Sequence, residues 1–425
     1  MRKLLDKAIV SGLLAAVVFT TLALGTVEAW SIAIFELMVV VLVLLWAAKA
    51  ILEKRLEIRI PPAALPLGGL VLVGLVQSIA LTGSAGQTSS LSMDVEATRG
   101  AVAVIFFLVV SFLIAANFFD THQRLRTLAT FLIIFGLALA VFALVQHFTW
   151  EGKMFWIRPA PSAGAGGPFV NRNHFAGYME MLIPIPVALA LSRAVHGEAR
   201  LFYGFAAAIM GMAEVASLSR GGIVSLTAGM LFVAAASARL KHRAESTRPH
   251  RRFSLAGYPA LFVVLIAGAI VAGVFWVGAD SGLAERLAGS QGDPSPAGRP
   301  AVWSDTLKMF GANPILGVGV GAFETVYPTF GRGDGSLRIE FAHNDYLQVL
   351  SDGGVVGGAL ALWFIIVVFR SFAGGLKSRD PLVSGFALGA GAGIFAILVH
   401  SLFDFNLQIP SNALLFLVLC AAVSG

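Results

Sequence analysis

The sequence predicts an all-α, polytopic integral membrane protein of about twelve transmembrane helices. Three observations carry that prediction. Hydrophobic residues make up 57% of the 425 positions and charged residues only 13%, about half the charge of an ordinary soluble domain; mean hydropathy is +0.83. Apolar runs of about twenty residues, the length that crosses a bilayer core, recur along the whole chain. Lys and Arg fall in alternate connections. With the N-terminus cytoplasmic, two thirds of the 30 basic residues lie inside, as the positive-inside bias requires. The same topology accounts for the formal charge of +6, so the partner it implies is a lipid bilayer and not nucleic acid. Cys420 is the single cysteine, which excludes an internal disulfide framework and a cysteine metal site.

In chain order the apolar runs cover 8–25, 31–51, 61–83, 98–118, 127–148, 174–194, 201–218, 221–238, 256–278, 350–370, 382–402 and 411–424. The first lies in a signal-peptide-like segment, with a basic start and Val27-Glu28-Ala29 as a candidate cleavage site. Its length, and the second span that follows at once, favour retention as a membrane helix. Pro184 and Pro186 are expected to kink the sixth run. Pro381 and Pro410 sit at helix starts, where the missing N–H is tolerated. The densest basic loop, Arg239 to Arg252, joins the eighth and ninth runs on the cytoplasmic side. Residues 1–148 are expected to form a five-span bundle, and residues 149–425 to hold the catalytic region, including an external loop at 279–342.

The external connections carry the chemistry-bearing residues. Arginine on that face runs against the topological bias. Arg172, Arg220 and Arg299, joined by His343, therefore suit an anionic, phosphorylated substrate and a proton transfer. Arg172 and His174 stand at the start of the sixth span, where backbone N–H groups and the helix dipole favour an anion. A cap or an interfacial anchor would explain Asn171 or Asn173, but not a guanidinium at the positive end of a dipole. For His174, packing and function are equally economical. Arg220 is the only charge in the tight turn Ser217-Leu-Ser-Arg-Gly-Gly222; the turn restricts its snorkelling to headgroups, so a phosphate contact is preferred.

The large loop has its own helix. Pro300 marks a first helical position, with Arg299 beside it, and Trp303, Leu307 and Phe310 form an apolar stripe suited to lying on the membrane or packing across span ends. Gly317, Gly319 and Gly321 fail the spacing of a nucleotide loop and read as a bent connector. Asn344 or Asp345 can cap the next helix. His343 lies just outside its N-terminus, where a neutral imidazole can act as general base. Glu36, Glu180 and Glu214 fall in or near spans and are functional candidates on that ground; pairing with the interfacial arginines explains them equally economically, and they are placed behind the reacting groups. Asp404 and Asn406 are expected as an additional polar contact on the same face rather than a catalytic dyad.

Together, Asn171-Arg-Asn-His-Phe-Ala-Gly177, Ser219-Arg-Gly221, Arg299-Pro-Ala-Val-Trp303, His343-Asn-Asp-Tyr-Leu-Gln348 and His400-Ser-Leu-Phe-Asp-Phe-Asn406 resemble the motifs of the bacterial O-antigen ligase and polymerase family. The resemblance is strongest over residues 170–410 and implies a metal-independent, cofactor-free, inverting glycosyltransferase of the bacterial inner membrane. The implied donor is a glycan on undecaprenyl diphosphate. The implied acceptor is a hydroxyl of lipid A core, of a growing glycan or of a protein side chain. On this resemblance the external face is periplasmic, and loop 279–342 is a large periplasmic loop containing short amphipathic helices. Arg220 and Arg299 match the family's diphosphate-binding arginines and His343 the acceptor-activating histidine; Arg172 matches a less uniform position. His174, Asn344 and Asp404, inside the same motifs, are expected substrate contacts. The chemistry agrees: arginines can stabilise a departing diphosphate without Mg²⁺, and no Asp-rich external metal motif is visible. Ligase and polymerase are not separated. The competing class is a transporter or flippase of a lipid-linked anionic saccharide, which predicts internal repeats and midplane charges on broken helices. No convincing repeat is found, although the two prolines of the sixth span fit that alternative.

Overall fold

A computed structural model describes residues 1–82, 88–160, 166–192, 194–246, 298–331 and 338–424. The first six helices are α1 (Arg2–Leu22), α2 (Ala29–Glu53), α3 (Ala64–Gln77), α4 (Val95–Phe118), α5 (His122–Phe148) and α6 (Arg172–Leu182). They are followed by α7 (Pro184–Leu191), α8 (Glu198–Ala216), α9 (Arg220–Ser246), α10 (Arg299–Ala312), α11 (Phe323–Val326), α12 (Asp345–Gly375), α13 (Pro381–His400) and α14 (Pro410–Val423). Two small antiparallel hairpins sit in connections, Ala80–Thr82 with Thr88–Ser90 and Lys153–Met154 with Arg158–Pro159.

Among the described residues, nine helical segments are long and apolar enough to cross a membrane, with α6 and α7 counted as one. Two of the twelve expected runs are shorter. Helices α3 and α14 have 14 residues each, roughly 21 Å of helix against a hydrocarbon core of about 30 Å. The run at 256–278 lies outside the described residues, as do residues 247–252 of the basic loop and residues 279–297 and 332–337 of the large loop. Helix α14 is apolar on every side because it is enclosed on every side. Nearly all of it is buried, with Leu414, Leu415, Val418 and Leu419 at 0% exposure, between α1, α4, α6, α12 and α13. An all-round apolar helix is the sequence of a core element as much as of a lipid-facing one.

Pro184 removes a backbone donor and divides the sixth run into α6 and α7, as expected of an interior proline. Helix α13 lies directly on this break. Its Gly385, Gly389 and Gly393 recur every four residues, and side chains there would strike Ser192, the Ile185 backbone and the Met181 backbone. Small residues at this spacing let helix backbones approach closely in a membrane. The approach fixes the end of α13 against α6.

The described part of the large loop packs around a small apolar cluster of its own. Val302 and Met309 of α10 pack into a cluster with Val318, Ala322, Phe323, Val326 and Tyr327. Trp303, Leu307 and Phe310 do not form the docking face: Leu307 is exposed, while Val302, Thr306 and Met309 face inward. Helix spacing allowed both stripes, and the connector that follows selects the second. That connector is bent as expected, with Gly317, Gly319 and Gly321 at φ 74°, 124° and 79°. Its backbone N–H groups at Val318 and Gly319 donate to the Ser351 and Asp352 carbonyls at 2.8 and 3.1 Å. Helix α12 opens at Gly354 (φ 62°), where the Pro314 carbonyl accepts from Val355 N at 2.8 Å.

Candidate functional site

The starts of α6, α9, α10 and α12 and the end of α13 meet at one end of the bundle. Each start has a local reason. The Asn171 side chain caps α6 by accepting from Asn173 N at 2.9 Å. Ser219 Oγ accepts from Gly222 N at 3.1 Å, leaving Arg220 on the first turn of α9. Pro300 begins α10 with Arg299 beside it. Asn344 caps α12 through Tyr346 N and Leu347 N at 3.0 and 3.1 Å. The loop leading to Arg172 is held by buried Gln146, which donates to the Gly167 carbonyl at 2.9 Å and accepts from Phe155 N at 2.8 Å.

Arg172, Arg220 and Arg299 line one cavity of about 220 Å³, with Asn173, Leu218, Gly221, His400 and Phe403. Residues from four separate parts of the sequence thus surround a space that fits a small anion more readily than a glycan. His343 stands beside the cavity and is joined to it through Asp404. That carboxylate, buried in the turn after α13, accepts from Asn173 Nδ2 at 2.5 Å and Arg299 Nη2 at 3.4 Å. Its other oxygen lies 3.3 Å from His343 Nδ1 and accepts from Phe405 N at 2.9 Å. Burial would raise the Asp404 pKa. The His343 hydrogen bond, with the charges of His174, Arg299 and His343, outweighs burial and holds the carboxyl below the usual aspartate range.

The His343 ring stands edge-on to Phe405, centroids 4.9 Å apart, and its side chain is 34% exposed. Its backbone is left-handed (φ 50°), uncommon outside glycine and concentrated at functional sites. Neighbouring bonds hold it there: Ala342 N donates to Gln348 Oε1 at 2.8 Å, and Asp345 N to the Ser401 carbonyl at 2.9 Å. A carboxylate on Nδ1 favours the tautomer that leaves Nε2 free to accept a proton.

The remaining expected residues have other contacts. His174 is buried, its ring also edge-on to Phe405, at 4.8 Å, and it does not line the cavity. Asn344 caps α12 with its oxygen and donates its amide to the Leu402 carbonyl at 3.0 Å. Both ends of that side chain therefore hold the fold. Glu180 meets His400 and not an arginine, at 3.1 Å, and neither Glu214 oxygen has a hydrogen-bond partner. Both acids are fully buried, whereas Arg172 is partly exposed and Arg220 and Arg299 are exposed. In the sequence His400 stands out only as part of a motif. Its place at a helix end, five residues before the Phe405 ring, was the available signal.

A larger cavity, about 360 Å³, lies at the opposite end, lined by Arg2, Asp6, Lys49, Glu53 and Arg124 among others. Its cations are matched by acids: Lys49 and Arg124 reach Asp6 at 2.6 and 2.7 Å, and Arg2 reaches Glu53 at 2.9 Å. It is a salt-bridge cluster.

The family model described as O-antigen ligase matches residues 205–363. This region belongs to the O-antigen ligase family. The O-antigen ligase segment contains Arg220, Arg299 and His343, while Arg172 precedes it and Asp404 follows it. The match covers 159 of the 425 residues; with the apolar helices it marks a multi-pass membrane protein that carries a segment of the O-antigen ligase family. No curated protein matches the chain.

Proposed function

We propose that this protein is a glycosyltransferase that moves a glycan from undecaprenyl diphosphate to an acceptor sugar hydroxyl by metal-independent inverting displacement. The supporting observation is the cavity where three arginines meet beside the Asp404–His343 pair. Arg220 and Arg299 hold the donor diphosphate, and Arg172 adds to the positive field. His343 Nε2 takes the proton from the acceptor hydroxyl as its oxygen attacks the anomeric carbon. The bond to the diphosphate breaks as the new glycosidic bond forms, and the leaving charge remains on the arginines. Asp404 orients the imidazole and stabilises its protonated form, while sharing its second oxygen with Arg299. The site faces the periplasm, with the N-terminus cytoplasmic, in keeping with the Lys and Arg distribution.

The test is transfer by the purified protein in lipid, using an undecaprenyl-diphosphate glycan with either lipid A core or donor alone. Product with donor alone identifies a polymerase, and product only with core identifies a ligase. Transbilayer movement of donor without a new glycosidic bond would replace this reading with the transporter, for which the broken α6–α7 segment is the structural argument.

A further inference from the structure

The wall of the arginine cavity includes a buried polar pair that the transfer chemistry above leaves unused. His400, the last residue of α13, lines the cavity beside Gly221 and is 1% exposed. Its Nδ1 lies 3.1 and 3.2 Å from the two carboxylate oxygens of Glu180, which is itself fully buried on α6. Nε2 points toward α9: a Cβ on Gly221 would come within 2.6 Å of it. Glycine at 221 therefore leaves this nitrogen uncovered at the cavity edge. A histidine that served only to neutralise Glu180 would need neither that opening nor a place among the three arginines.

With Nδ1–H given to Glu180, the doubly protonated ring forms an ion pair and still has one N–H to offer an anion. We propose that His400 is a further ligand contact, donating Nε2–H to a non-bridging oxygen of a lipid-linked diphosphate, with Glu180 as the residue that positions the ring. This rests on the reading of the cavity as a diphosphate site. The charged and titratable groups facing His400 are Arg172, Glu180 and His174 on α6, Arg220 on α9, Arg299 on α10 and Asp404 after α13, with Glu214 of α8 behind Glu180.

The experiment measures binding of farnesyl diphosphate and farnesol to the full chain in lipid nanodiscs between pH 6 and pH 8.5. The wild-type affinity is divided by that of His400→Gln, so the ligand's own titration and the other histidines cancel. The expected ratio is about tenfold at pH 6, the size of one charge-assisted hydrogen bond, falling toward unity at pH 8.5. Glu180→Gln should move that pH profile toward acid. Gly221→Ala keeps the histidine but covers Nε2, and should weaken diphosphate binding at pH 6 by a similar factor. A ratio of one, or one constant with pH, overturns the proposal; if His400→Gln does not fold, unchanged binding by Gly221→Ala does so. Equal wild-type affinity for diphosphate and farnesol removes the diphosphate site and His400's role together. Diphosphate binding with this pH signature but no glycosyl transfer leaves His400 in place and overturns the proposed reaction alone.

Discussion

Both ends of the bundle gather basic groups around a cavity and treat them differently. At one end Asp6 is shared by Lys49 and Arg124, and Arg2 is matched to Glu53. At the other, Arg172, Arg220 and Arg299 converge on a cavity beside which the buried Asp404 carboxylate is shared by His343, Asn173 and Arg299. Matched charge satisfies itself and holds helices together. Arginines that converge on a small space suit an anion there, and close Arg donors act most strongly where water is scarce. That contrast is why the smaller cavity is the one proposed for the chemistry.

The contrast can be broken most directly at His343. His343→Ala should lower transfer by roughly 10²–10⁴-fold, the usual contribution of a general base, while donor binding persists; a small effect on turnover would remove the base from the mechanism. Asp404→Asn comes next, at about 10²-fold. Because it acts through the ring, the His343→Ala, Asp404→Asn double variant should be little worse than His343→Ala alone. Additive losses would assign Asp404 an independent role.

Asp404 also makes a prediction about acid. Its folded carboxyl lies below the usual range, so its stabilisation is complete above about pH 4 and is lost as pH falls through the lower folded value. Thermal melting below about pH 4 should thus steepen less with acid in Asp404→Asn than in wild type. Arg220→Lys and Arg299→Lys keep the charge but lose the planar donor fork, and each should cost about tenfold or more in transfer. Undiminished activity would mean that field alone suffices.

The smallest catalytic effect is expected at the matched end. Asp6→Asn leaves Lys49 and Arg124 half-satisfied and should cost about 1–3 kcal/mol of stability, discounted for partial exposure. Activity per folded molecule should stay within about twofold, since none of these groups reaches the arginine cavity. A loss of turnover comparable to Arg220→Lys would erase the distinction between the two ends.

Much of this was legible in the chain. Hydropathy and the Lys/Arg alternation gave the membrane class, because bilayer thickness and surface charge act on local sequence. The bent connector was readable from Gly317, Gly319 and Gly321, and the α12 cap from Asn344, because turns and caps are local as well. The arginines and His343 stood out because polar groups at the ends of apolar runs need a reason.

Tertiary structure decided what local patterns do not encode. Helix α14 reads like a span, yet its neighbours enclose it. Val302 and Met309 displaced the Trp303 stripe because the Gly-rich connector covers one side of α10. Asn173 meets Asp404 across 231 positions, and His343 meets it across 61; Glu180 reaches His400 because the glycine face of α13 lies on the break at Pro184. By itself the sequence determined which residues carry charge and on which helix ends they stand. Helix packing alone decided that Asp404 would join His343 to the arginines, because burial and partner choice depend on surfaces contributed by distant segments.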